Sequence, residues 1–188
     1  MRLLSGLSLV ALLAFVAGCA PAAPPAPATP PAPAAEVKAN LNQIMRGILF
    51  PNSNILFDAQ DTDPGAPPAA AGAGTNATSV YAGTYGGWEA VENASMALAE
   101  AANLISLPGR VCNNNKPVPL DDPVYQKGLA ALRDVAKLSY DTAKAKKFDA
   151  MLDVADKVTQ ACATCHDVFR DRVVDGKPIG MEDRCTKG

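Results

Sequence analysis

Four stretches of the chain repeat apolar residues at helical spacing. The most regular pattern is near the C-terminus, where apolar residues recur every three or four positions: Phe148, Met151, Ala155, Val158, Cys162, Cys165 and Phe169. This spacing is typical of the seam of a packed helix bundle. It predicts a last helix whose buried stripe includes two cysteines.

Three earlier helices are predicted from the same spacing and from their end signals. The first ends at Phe50-Pro51, because a residue before proline disfavours the helical region, and a long connection over 52–87 follows. The third begins with a cap at Asp121 or Asp122 and has Pro123 in its first turn. Abundant alanine and few aromatic residues favour an all-α fold. The three predicted ranges are 36–49, 88–107 and 123–146.

The N-terminus carries a signal for export. Arg2 precedes an apolar run from Leu3 to Ala17, which is short for a membrane span, and Cys19 follows where the run ends. The four residues 16–19, Val-Ala-Gly-Cys, look like a bacterial lipobox, which predicts a signal peptide over 1–18 and a lipid on Cys19. Several acyl chains would hold the protein on a membrane. An ordinary signal peptide with an incidental cysteine is the alternative.

A spacer and a single domain follow the signal. Residues 19–35 are almost wholly proline and alanine after the cysteine, a composition typical of an extended polyproline spacer. Residues 36–188 have the length of a single domain. With a formal net charge of −2 the chain is not basic, which argues against nucleic acid as a partner.

The last predicted helix carries the run Cys162-Ala163-Thr164-Cys165-His166, which is the attachment signature of a c-type haem. The two thiols form thioethers with the haem, and the imidazole becomes an axial ligand of the iron. The motif therefore predicts one covalent haem. A thioredoxin-like pair needs a strand-to-helix junction, and a zinc site needs a second ligand pair, whereas the other three cysteines are scattered.

Cys112 and Cys185 are the two cysteines that belong neither to the lipobox nor to the haem motif, in a chain predicted to be exported. A disulfide is the default expectation for such a pair. It would tie the loop between the second and third helices to the C-terminal tail.

The motif and its position resemble the class II c-type cytochromes, the cytochrome c′ and cytochrome c-556 family. That family reads C-x-x-C-H-x-x-[FY]-[RK] on its last helix, and residues 162–170 match this pattern. Only Asp167 to Gly188 follow the motif, which is too little chain for the class I fold. The resemblance implies an antiparallel four-helix bundle with covalent haem on the C-terminal helix.

The resemblance also implies roles for Met45 and Arg170. Family members with methionine on the first helix are low-spin electron carriers, while those with an apolar residue there are five-coordinate and bind small gases. Met45 occupies the corresponding region, with Leu41 and Leu49 on its stripe. Arg170 matches the family's basic residue one turn after the proximal histidine, and a solvated arginine is the alternative.

Other residues fit the family less well. Leu41 stands where many members carry an arginine near a haem propionate, and Arg46 would face elsewhere on a regular helix. Three further methionines compete poorly as iron ligands: Met96, Met151 and Met181, the last because it lies in the tail.

The expected function is that of a lipid-anchored periplasmic electron carrier that exchanges single electrons with partner proteins. The alternative is a five-coordinate haem protein that binds nitric oxide or carbon monoxide. A haem enzyme such as a peroxidase is the weakest hypothesis, because His166 is the only histidine and none is left for distal acid-base catalysis. A homodimer is compatible with the sequence.

Overall fold

Asn40 starts the first helix of the structure, a computed structural model that describes residues 36–67 and 86–187. Its side chain accepts a hydrogen bond from the Gln43 backbone at 2.9 Å, and the Gln43 side chain accepts one from the Asn40 backbone at 2.9 Å. This capping box satisfies two backbone donors that a helix start leaves free. Helix α1 (Leu41–Ile44) continues as a π-helical segment (Met45–Leu49) and then as α2 (Phe50–Asp61).

The prediction that the first helix ends at Phe50-Pro51 is wrong, because the helix passes the proline. Phe50 donates its backbone N–H to the carbonyl of Met45, five residues earlier, so the helix widens just before Pro51. A widened turn accommodates a residue that lacks an N–H and whose ring crowds the preceding turn. The first part of the predicted connection is therefore helical, and Leu56 and Ala59 are buried in the core.

The other three helices are α3 (Gly87–Leu104), α4 (Pro123–Lys144) and α5 (Met151–Phe169). Asp122 is the cap of α4, accepting hydrogen bonds from the backbones of Val124 at 2.7 Å and Tyr125 at 3.4 Å. This confirms the predicted start of the third helix. Helix α3 ends three residues before the predicted position 107, which is within the usual uncertainty of helix ends.

The four helices pack against one another, since α2 contacts α3 and α5, and α4 contacts both α3 and α5. The all-α fold predicted from the sequence is confirmed at this level, and the packing is consistent with a four-helix bundle. Ser95 and Ser139 share a buried hydrogen bond of 2.7 Å between α3 and α4. The fully buried large side chains of the core are Leu56, Leu98, Leu129, Met151, Val154 and Val158.

The C-terminal tail folds back onto the loop between α3 and α4. After α5 come a short hairpin of β1 (Val173–Val174) and β2 (Lys177–Pro178) and a 3₁₀ turn (Met181–Asp183). Cys112 and Cys185 form a disulfide with an S–S distance of 2.04 Å. The Cys185 backbone N–H also donates to the carbonyl of Phe169 at 2.9 Å, so the tail is fastened to the end of α5 as well.

The predicted signal peptide, Cys19 and the spacer up to position 35 lie outside the described residues, as do positions 68–85 of the predicted connection. In the described part of the chain, no helix combines the length and the apolar character needed to cross a membrane.

Candidate cofactor site

A cavity of about 790 Å³ opens where α4 begins and α5 ends. This volume is within the range of small-molecule and cofactor pockets. Its walls come from the first helix, α3, the 112–119 loop, α4, the end of α5 and the tail. Much of the lining is aliphatic, including Leu41, Leu49, Leu98, Ile105, Leu129 and Leu132.

The three chemical groups of the predicted attachment motif meet in this cavity. Cys162, Cys165 and His166 lie on α5, line the cavity and are each partly buried. Cys162 and His166 are four residues apart and so share one face of the helix. Both cysteines are free thiols in the structure.

Gly128 on α4 makes room for one of these thiols. A Cβ built at Gly128 would lie 2.1 Å from the Sγ of Cys165, far inside van der Waals contact. A glycine in the interior of a helix costs about 1 kcal/mol relative to alanine. At position 128 the Cys165 sulfur occupies the place that an alanine methyl group would take. Sequence reasoning missed Gly128, and its only signal was an isolated glycine within a helical pattern.

Burial sets the protonation of the motif. Burial raises the pKa of Cys162 and raises the pKa of Cys165 to about 11. Burial, aided by the nearby Arg170 guanidinium, lowers the pKa of His166. At neutral pH the thiols are therefore protonated, and the imidazole is in the neutral form that ligates metals.

The first helix brings Met45 to the cavity. Met45 opens the π-helical segment, is partly buried and lines the cavity together with Leu41 and Leu49. Arg46 also lines the cavity, although it would face elsewhere on a regular helix. The π turn changes the register of neighbouring positions, and π-helical turns are frequent at functional sites.

The tail forms another wall that the sequence did not predict. Met181, Arg184 and Cys185 all line the cavity because the disulfide and backbone hydrogen bonds hold the tail against it. Met181 is 53% exposed, and its sulfur accepts a hydrogen bond from Arg184 at 3.6 Å. The tail therefore supplies a second methionine next to the attachment motif.

The charged lining of the cavity has one sign. Of the described residues that line it, Arg46, Arg170 and Arg184 are charged at neutral pH, and none is a carboxylate. Arg170 donates from Nε to both carboxylate oxygens of Asp171, at 2.8 Å and 2.9 Å, and is exposed. An aliphatic cavity with arginines at its walls fits a group with an apolar body and anionic substituents, as a haem has.

Comparison of the chain with family models, with curated proteins and with solved structures gave no match. Within 36–67 and 86–187, no group of three or more histidine, cysteine, aspartate or glutamate side chains is placed to hold a metal ion. The functional assignment therefore depends on the attachment motif and on the residues of the cavity.

Proposed function

We propose that the protein is a lipid-anchored c-type cytochrome of the class II kind that carries single electrons in the bacterial periplasm. The observation that carries this proposal is that Cys162, Cys165 and His166 meet Met45, from another helix, in one largely aliphatic cavity. The proposal needs both features, because a haem attached to a helix surface without a cavity would be left exposed to water.

Each residue of the cavity has a defined task in this proposal. Cys162 and Cys165 would hold a haem through thioethers, and His166 would be its proximal ligand. Gly128 leaves space for the Cys165 thiol, and the largely aliphatic lining suits the apolar body of a haem. A bound haem supplies a one-electron couple between ferrous and ferric iron.

Met45 is the proposed sixth ligand. It lies on the first helix, where electron-carrying relatives of the resembled family have theirs, and it is less exposed than the rival Met181. A thioether stabilises ferrous iron relative to ferric iron and so raises the reduction potential. This ligation suits an electron carrier.

Gas binding is the second candidate, favoured by a specific observation. Leu41 and Leu49 line the same cavity as Met45, so an aliphatic side chain is also available beside the iron position. If Met45 does not ligate the iron, the iron would be five-coordinate and open to nitric oxide or carbon monoxide. We propose no enzymatic role, since His166 is the only histidine of the chain.

The location of the protein is proposed from the N-terminal sequence. A lipid on Cys19 would anchor the chain, and the proline-rich residues up to 35 would hold the haem domain away from the membrane. Partner proteins in the periplasm would exchange electrons with it.

The test is covalent attachment in cells that export the chain and mature c-type cytochromes. We expect a haem-stained band that survives denaturing electrophoresis and disappears in the Cys162→Ala, Cys165→Ala double variant. The Ala163→Ser, Thr164→Ala double variant is the matched control, because it changes the two residues between the thiols, keeps both thiols and should keep the stain. Haem that is extracted by acid acetone would contradict the proposal.

A further inference from the structure

Arg184 has a buried donor without an acceptor. Its Nε is buried and has no hydrogen-bond partner among the described residues, although the side chain lines the cavity. We propose that Arg184 binds a propionate carboxylate of the haem, an inference that rests on the proposed function. The tail would then be part of the cofactor site rather than a terminal extension.

The backbone around Arg184 is fixed from three directions. Cys185, the next residue, is disulfide-bonded to Cys112 and donates its N–H to the carbonyl of Phe169. The Asn114 side chain donates to the carbonyl of Arg184 at 3.0 Å. Because the backbone at Arg184 is already ordered, binding of an anion there would have to order only the side chain.

Among the described residues, the guanidinium has no strong acceptor. Its Nη1 donates a hydrogen bond to the sulfur of Met181, at 3.6 Å, and a thioether is a weak acceptor. The nearby Asp171 has its pKa lowered mainly by its hydrogen bonds to Arg170, with a smaller contribution from Arg184. A buried donor without a partner is costly, and the planar fork of an arginine matches the two oxygens of a carboxylate.

The other two arginines of the cavity are weaker candidates. Arg170 is already paired with Asp171, with a shortest contact of 2.5 Å between Nη2 and Oδ2. Arg46 is exposed on the first helix. Arg184 is the cavity arginine that combines a buried, unpartnered nitrogen with a fixed backbone.

Arg172 provides a matched control in the same part of the chain. Its Nε is also buried without a partner, and its Nη1 donates to the carbonyl of Thr186 at 3.3 Å. It is not among the residues that line the cavity. Arg172→Gln therefore removes the same charge and the same kind of buried donor without removing a cavity contact.

The experiment compares Arg184→Gln, Arg184→Lys and Arg172→Gln in the haem-loaded protein by redox titration and resonance Raman spectroscopy. Loss of a positive charge beside the haem favours ferric iron, so Arg184→Gln should lower the potential. The expected change is roughly tenfold in the ferrous-to-ferric equilibrium, which is about 59 mV for one electron. Arg184→Lys should largely keep the potential, because it keeps the charge.

The Raman band for propionate bending separates direct contact from a distant charge effect. It should shift in both Arg184 variants and stay in place in Arg172→Gln. An unshifted band in both Arg184 variants would overturn the inference while leaving the cytochrome proposal intact. Absence of covalent haem from the parent protein would overturn both. If Arg184→Gln fails to fold, Arg184→Lys still decides the question through the Raman band.

Discussion

Gly128 faces Cys165 so closely that a single methyl group at position 128 would reach within 2.1 Å of the sulfur. The second helical glycine next to the cavity region, Gly47, is different, because a Cβ there would meet nothing within 4 Å. A methyl group at position 128 would therefore force the Cys165 side chain to shift, whereas a methyl group at position 47 would displace nothing.

Gly128→Ala should reduce the fraction of chains that carry covalent haem, because the methyl group displaces the thiol that must react. Overpacking of this kind costs about 1–3 kcal/mol of the free energy of unfolding. Haem per polypeptide, from the absorbance of the denatured protein, and urea unfolding measure the two effects.

Gly47→Ala is the control for that substitution. It adds the same methyl group to a helix without a steric contact, so it should leave haem content unchanged and alter stability by less than about 1 kcal/mol, in the stabilising direction. Equal haem content in the two alanine variants would show that Cys165 can move aside and that Gly128 is not needed.

The Cys112–Cys185 disulfide should contribute strongly to stability. It joins residues separated by 73 positions, and closure of a loop of that length in the unfolded chain stabilises the folded state by about 2–4 kcal/mol. The Cys112→Ser, Cys185→Ser double variant should unfold at correspondingly lower guanidinium concentration. Thiol titration of the denatured, unreduced mature protein should detect no free thiol. A reactive thiol that peptide mapping assigns to Cys112 or Cys185 would show that the pair is open.

Cys19→Ser should release the protein from the membrane fraction into the soluble periplasmic fraction. The reason is that the proposed acyl chains are attached through this cysteine, and a serine cannot form the thioether. Immunoblots of fractionated cells measure the partition. Unchanged partitioning in Cys19→Ser would argue for an ordinary signal peptide or for a different anchor.

The helices with a strong pattern and a clear cap were predictable from the sequence. Helix α4 begins after Asp122 as predicted, and the cap needs only local hydrogen bonds to Val124 and Tyr125. The passage of the first helix through Pro51 was not predicted, because the rule that a helix ends before proline assumes a regular α-helical turn. The Phe50 N–H to Met45 carbonyl bond widens that turn, and the rule does not include this alternative.

The same distinction applies to the cavity. The attachment motif is contiguous, so Cys162, Cys165 and His166 were recognisable without a structure. Gly128 and Arg184 matter through contacts with distant parts of the chain, which no short-range pattern reports. Its place in the tail makes Met181 a poor candidate ligand from the sequence, whereas in the structure the tail forms a wall of the cavity.

The identity of the sixth iron ligand can be tested with two substitutions that preserve volume. Met45→Leu and Met181→Leu each remove a sulfur from the cavity lining and keep a side chain of similar size. If Met45 is the ligand, Met45→Leu should keep haem attachment, convert the iron to high spin and lower the reduction potential, because the thioether no longer stabilises ferrous iron. Absorption spectra and redox titration measure these changes.

Carbon monoxide binding to the reduced proteins completes this test. The parent and Met181→Leu should bind it poorly, while Met45→Leu should bind it readily, since the sixth position is then open. The opposite result for the two variants would place the ligand on the disulfide-bonded tail. If the parent already binds carbon monoxide at once and neither variant changes spectrum or potential, both methionines are packing residues. The aliphatic side chains of Leu41 and Leu49 would then border an open iron, and gas binding would replace electron transfer as the proposed function.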